Sequence, residues 1–284
     1  LVNEAISSNF EVVKVFRTSE IGEEMMKKIT LLSLIIAAAF SFVSCGQSGK
    51  KDVDLRIMCY NTHNCIGMDG VTSFERIANV IKAGNVEAVA LQELDSMSKR
   101  NPADVLGELA KLTGMYPTFC PSIDFQGGKY GIGMLTKEKP LSYRRVSLPC
   151  RSEPRSLQIV EMKDYYYCNT HLSLHNEDRV TSAKIIVEEL AKLDKPVIIA
   201  GDFNAYRTEE PMKIMAEHFD VLKKTGMLVN TIPADNPQSE IDFICLYTDK
   251  GATAEVKEHI VVEAPVESDH LPIIAEFTIH QQTK

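Results

Sequence analysis

Apolar and polar positions alternate through Leu55-Arg56-Ile57-Met58-Cys59-Tyr60 and then give way to Asn61-Thr62-His63-Asn64, the pattern of a strand running into a loop. Thr72-Ser73-Phe74-Glu75 fits a capping box, and Phe74, Ile77 and Ile81 follow at helical spacing. A short apolar strand over 86–91 ends at Gln92-Glu93, and Val105, Leu106, Leu109 and Leu112 mark a second helix. Further strands are predicted over 130–135, over 157–162 and 165–171 as a hairpin, and over 197–200, 240–247, 257–262 and 271–279. Between them Val180, Ala183, Ile186, Val187 and Leu190 share one face of a long helix that Lys195-Pro196 stops. Helices alternate with strands early and strands pair antiparallel later, which predicts a mixed sheet architecture with helices outside. No Pro/Gly/Ser-rich linker interrupts it, and residues 52–284 read as one domain.

The N-terminus follows another grammar. Lys27 and Lys28 precede an apolar run from Ile29 to Val43, and Ser44-Cys45 closes it. This is the form of a secretory signal, too short for a comfortable transmembrane helix. Phe42-Val43-Ser44-Cys45 resembles a lipobox, where bacterial lipoproteins are cleaved and acylated on Cys; a plain secretory signal with an incidental Cys45 is the alternative. Residues 25–45 are then the lipoprotein signal, 46–51 a polar tether, and 1–24, upstream of Met25-Met26, a leader from a start codon assigned too early. These features predict an exported protein held at a membrane through lipid on Cys45.

Composition narrows the function classes. The chain of 284 residues is 44% apolar and carries a formal charge of −8, which argues against a wide basic surface for nucleic acid. It does not argue against phosphate met through a bound cation. With no Trp, a stacking platform for single strands is not evident. Cys59, Cys65, Cys120, Cys150, Cys168 and Cys245 show no zinc-site spacing, and Cys59, Cys168 and Cys245 sit in apolar strand patterns as buried thiols.

Candidate chemistry collects where strands stop. Asn61, Glu93, His171, Asp202, Asn204, Asp242, Asp269 and His270 each lie at or beside a predicted strand end, and such rims can converge on one pocket. Singly, each has an ordinary reading as a turn, cap or surface residue. As an ordered set, Tyr60-Asn61, Gln92-Glu93, Asn169-Thr170-His171-Leu172, Gly201-Asp202-Phe203-Asn204, Ile241-Asp242-Phe243 and Ser268-Asp269-His270 resemble the signature blocks of the endonuclease/exonuclease/phosphatase superfamily. That superfamily includes deoxyribonucleases, repair exonucleases, bacterial sphingomyelinases and inositol polyphosphate phosphatases.

The resemblance implies an α/β (α+β) four-layered sandwich, two mixed β-sheets face to face with helices on the outer faces. It also implies a phosphoric ester hydrolase dependent on Mg²⁺ or Mn²⁺, working by in-line water attack. Hard oxygen ligands suit these ions. Asn61, Glu93 and Asp269 would be the metal ligands. Asp202 would orient or deprotonate water, Asn204 and His171 would hold phosphate oxygens, and His270, oriented by Asp242, would contact phosphate or move a proton; whether Asp202 or a histidine is the base stays open. Tyr130 resembles a phosphate-contacting position, with strand packing as its alternative, and Arg155 resembles a phosphate-binding arginine, with an ion pair to Glu153 as its alternative. Two positions depart from the family pattern: Ile132 stands where many members have Asn, and Ser182 where many have Gln. The expected partner is a small-molecule or lipid phosphate ester, met by a monomer. A nuclease and a ligand-binding lipoprotein without catalysis are the competing readings.

Overall fold

A computed structural model describes residues 52–281; the proposed leader, signal, lipobox and tether at 1–51 lie outside the described residues. Two six-stranded sheets form the interior. The first has the order β11-β12-β1-β2-β4-β3 and the second β5-β6-β7-β8-β10-β9. In the first, β1 (Val53–Asn61) pairs parallel with β2 (Ala88–Ser96) and antiparallel with β12 (Ile273–Gln281). β3 (Tyr116–Phe125), β4 (Gly128–Thr136) and β11 (Ala252–Val261) complete it. In the second, β7 (Tyr166–His171) pairs parallel with β8 (Val197–Asp202), joined by β5 (Ser142–Leu148), β6 (Arg155–Glu161), β9 (Phe219–Val221) and β10 (Asp242–Tyr247).

Period-2 alternation builds the layers. Ile57 and Cys59 of β1 enter the core between the sheets, with Val160, Tyr167, Ile198, Ala200 and Ile244 from the facing sheet. Met58 and Tyr60 face outward onto helices α1 (Phe74–Gly84) and α2 (Val105–Thr113), where Ile77, Ile81, Leu106 and Leu109 cover them. On the other side, Ala183, Ile186 and Leu190 of α3 (Asn176–Leu190) and Met212 and Met215 of α4 (Glu210–His218) cover Cys168, Ile199 and Phe243. The result is the expected four-layered sandwich of helices, sheet, sheet and helices. Among the described residues no helix is long and apolar enough to cross a membrane.

Several expectations need correction. β3 escapes the pattern because Pro117 and Pro121 interrupt it, and the fold tolerates them because β3 is the sheet's edge. β5 is likewise an edge, mostly solvent-exposed and so without alternation. α4 and the three-residue β9 were also not predicted. The cap of α1 is Ser73 rather than Thr72: its hydroxyl accepts the Arg76 N–H at 3.3 Å and donates to Glu75 at 3.2 Å. The strand expected to stop at Gln92-Glu93 instead runs on to Ser96 through a bulge. All six cysteines of the described region are free thiols, and five are buried.

The sheets are pinned together by buried amides. Gln92 Nε2 donates to Asn169 Oδ1 across the interior at 2.7 Å, and Asn169 Nδ2 donates to the Leu91 and Gly133 carbonyls at 2.9 and 2.8 Å. Tyr167 reaches across in the same way, its hydroxyl donating to the Met58 carbonyl at 2.6 Å.

Candidate active site

Parallel β1 and β2 in one sheet, and β7 and β8 in the other, all finish at the same end of the sandwich. Antiparallel β12 and β10 begin there. This topology gathers the polar strand ends that the sequence scatters over two hundred residues. Asn61 closes β1, His171 closes β7, Asp202 closes β8, Asp242 opens β10 and His270 precedes β12; all five are buried.

Backbone geometry aims the remaining groups. Glu93 occupies the β2 bulge, where the β2–β4 register shifts, with φ of 59°. A left-handed glutamate costs on the order of 1 kcal/mol, and such strain concentrates at functional sites. Asn64, itself left-handed at φ of 55°, clasps the bulge: it accepts the Asp95 N–H and donates to the Asp95 carboxylate, both at 3.1 Å. Arg100 donates to both Asp95 oxygens at 2.9 and 2.8 Å, and Thr62 Oγ1 donates to the Gln92 carbonyl at 3.0 Å. On β8, a Cβ at Gly201 would fall 2.1 Å from the Thr170 carbonyl oxygen, so only glycine permits this approach of β7. Asp202 then accepts the Asn204 N–H at 2.8 Å, turning the chain sharply with Asn204 left-handed at φ of 48°.

One oxygen lies at the centre. Asp202 Oδ2 accepts from Asn61 Nδ2 at 3.0 Å and faces Nε2 of His171 at 3.5 Å and Nε2 of His270 at 3.7 Å. Asn61 Nδ2 also donates to Glu93 Oε1 at 3.1 Å, linking the two carboxylates. Behind His270, Nδ1 meets Asp242 Oδ2 at 2.9 Å. Asp202, Asp242 and His270 place one ligand atom each within 4.8 Å of one another.

These surroundings set the charges. Burial, with Asp242 close by, holds the Asp202 carboxyl well above the usual carboxylate range. Burial resists protonation of His270, but the Asp242 carboxylate outweighs it and holds the imidazole up at about 10. Burial pushes His171 the other way, well below the usual histidine range, helped by the Arg155 and His270 charges. At neutral pH one histidine is therefore a cation and the other neutral. Burial, and then the Glu93 and Glu153 charges, pushes the Tyr130 phenol far up, so it remains a donor.

The other predicted residues fall around this centre. Tyr130, at the start of β4, and Arg155, at the start of β6, are both largely buried. Arg155 pairs with Glu153, the ordinary alternative, and its Nη1 also lies 3.5 Å from His171 Nδ1. Asn204 spends its side-chain N–H on the Leu172 carbonyl at 3.1 Å, which leaves its oxygen for other contacts. Asp269 is half-buried beside Ser268, whose hydroxyl donates to the Asn61 carbonyl at 2.8 Å. Of the two departures, Ile132 is buried in β4, and Ser182 is buried on α3 near Arg179, which braces the Leu174 carbonyl at 2.9 Å and Glu209 at 3.0 Å. Sequence reasoning gave no role to Asn64, Asp95, Arg100, Asn169 or Thr231. Of these, Asn169 alone carried a signal, as an amide within an apolar strand.

Comparison with known proteins bears on the fold and the family. The model of the Endonuclease/Exonuclease/phosphatase family matches residues 58–270. Among solved structures, an endonuclease/exonuclease/phosphatase from Beutenbergia cavernae superposes with a TM-score of 0.65 at 21% identity, covering 80% of this chain and 72% of that one. A family protein from Bacteroides thetaiotaomicron gives 0.66 at 17% identity, covering 83% and 100%. A mannosyl-6-phosphatase from the same organism gives 0.61 at 17%, covering 78% and 99%. At such identities these likenesses establish the fold. None of the curated proteins compared with the sequence matches it. With the family model spanning the domain from Met58 in β1 to His270 at the site, the chain belongs to the Endonuclease/Exonuclease/phosphatase family.

Proposed function

We propose that the protein is a divalent-metal-dependent hydrolase of phosphate esters, exported and held at a membrane by lipid on Cys45. The observation that carries the reading is the Asp202 Oδ2 hub, shared by the Asn61 amide and faced by the Nε2 atoms of two buried histidines. Their surroundings push the two histidines in opposite directions, one up and one down, the kind of pairing that acid–base roles draw on.

The donor set fits a hard cation. Its chemistry is all oxygen: Glu93 and the half-buried Asp269 carry carboxylates and Asn61 an amide oxygen, while the Asn61 N–H donates to Glu93 at 3.1 Å. Glu93, Asn61 and Asp269 would hold Mg²⁺ or Mn²⁺. When bound, the ion neutralises the non-bridging phosphate oxygens and the charge gathering on the leaving oxygen.

The chain's own residues do the rest. Asp202, with its raised proton affinity, accepts the proton of the attacking water and fixes its line of approach. His270, held as the imidazolium by Asp242, donates to a phosphate oxygen. His171, neutral, donates one N–H to another, and Arg155 and Tyr130 close the remaining side. No covalent intermediate is required, since water attacks in line as the ester oxygen departs opposite.

The test is a panel of bis-p-nitrophenyl phosphate, p-nitrophenyl phosphate, sugar phosphates, nucleotides, sphingomyelin and plasmid DNA, with protein lacking residues 1–45 and either metal. Sugar phosphates are included because a mannosyl-6-phosphatase is among the similar structures. No turnover of any ester with either metal would sink the enzyme reading. Lipid labelling that persists in Cys45→Ala would reject the anchor.

A further inference from the structure

Asp242 lies where its orientation bears on that of His270, and one residue bonds both Asp242 and the chain next to His270. Thr231, fully buried in the loop before β10, donates its hydroxyl to Asp242 Oδ2, the same oxygen that meets His270 Nδ1 at 2.9 Å. The Thr231 carbonyl accepts the N–H of Leu271, the residue after His270, at 2.7 Å. Thr231 is itself fixed, its N–H donating to the Ser239 carbonyl at 2.8 Å across the Ile232–Ser239 bridge.

The other carboxylate oxygen, Asp242 Oδ1, is buried with no hydrogen-bond partner among the described residues. The Cβ–Cγ torsion of aspartate is broad and roughly two-fold. Among the described residues no hydrogen bond holds Oδ1, so the hydrogen bonds that orient the plane of the carboxylate are the two at Oδ2. One comes from His270, the group to be oriented; the other comes from Thr231. We infer that Thr231 is a positioning residue for the reaction proposed above: its hydroxyl fixes the Asp242 carboxylate, and its carbonyl fixes the chain beside His270. The inference rests on that functional reading for its kinetic consequence but not for its structural one.

The full chain is compared with Thr231→Val, which keeps the shape without the donor, and Thr231→Ser, which restores the donor alone. Turnover of whichever ester the panel identifies should fall roughly tenfold or more in kcat in the valine variant, with KM little changed, and should return in the serine variant. A second readout needs no turnover. In ¹⁵N-histidine-labelled protein, the His270 Nδ1 proton, assigned by its absence in His270→Ala, should be exchange-protected in wild type and in Thr231→Ser. It should lose protection in Thr231→Val while thermal melting remains cooperative. Wild-type protection retained in the valine variant overturns the inference, as does equal loss of kcat in the valine and serine variants. If wild type turns over no ester, the functional reading falls, and the proton measurement alone still decides for or against Thr231 as the clamp. If the valine variant does not fold, a serine variant that loses protection or kcat while melting as wild type overturns the inference, and one that keeps both supports it.

Discussion

His259 should make the protein acid-labile, and the size of the effect follows from its place in β11. Val261 beside it faces the core between the sheets, and His259 points the same way, 1% exposed. The Lys224 ammonium lies near, itself buried and bonded to Glu240 at 2.6 Å. Burial, then the Lys224 charge, lowers the His259 imidazole to about 4, with Glu240 opposing and Arg207 assisting. The folded value lies below the unfolded one of about 6.5, so between the two the unfolded chain binds the extra proton. Stability is therefore lost as pH falls through that window. Going from pH 7.5 to pH 5.0, this one group should contribute a loss of about 2 kcal/mol, or a drop of about 4–8 °C in Tm for a domain of this size. Other groups titrate in the same range, but a comparison with His259→Gln isolates the term. Urea unfolding at the two pH values should show wild type losing about 2 kcal/mol more than the variant. If both lose the same amount, the buried neutral histidine is not the cause and the reasoning is wrong.

The site makes further claims. Because burial beside Asp242 keeps Asp202 protonated to higher pH than an ordinary carboxyl, turnover should climb with pH across the weakly acidic range. Asp202→Asn should cut kcat by about a hundredfold or more and abolish that limb; an unchanged pH–rate profile would remove Asp202 from its role. Glu93→Gln should raise the Mg²⁺ concentration for half-maximal activity about tenfold or more, read by metal titration at saturating ester. Asn169→Leu removes the acceptor that Gln92 Nε2 meets at 2.7 Å and the donor to two carbonyls between the sheets. It should destabilise by about 2 kcal/mol or more, measured by urea unfolding at constant pH.

What the sequence shows and hides divides along physical lines. Central strands such as β1, β8 and β10 are legible because burial demands apolar runs, and their polar ends stand out against them. Edge strands carry no such demand, so β3, with its two prolines, and β5, with Arg144 and Arg145, read as loop. Glu93 was legible as chemistry but not as geometry. A bulge leaves one residue unpaired without altering composition, and the clasp of Asn64 on Asp95 that accompanies it joins residues 31 positions apart. Asp242 and His270 were readable as a pair because each interrupts a patterned block. Thr231 was not, since a threonine in a polar loop has the same appearance whether it caps a turn or holds a carboxylate. Pairing across the sandwich, as of Gln92 with Asn169, depends on how two sheets face each other, which no local pattern encodes.

The direction of β1 carries a consequence for where substrates come from. The strand enters at Val53 and ends at Asn61, so its nine residues cross about 30 Å at a rise of about 3.3 Å each. Anything joined ahead of residue 52 is attached at the pole opposite the catalytic mouth. An entry at Val53 therefore leaves the candidate site, at the far end of the same strand, open to approach from the other pole of the domain.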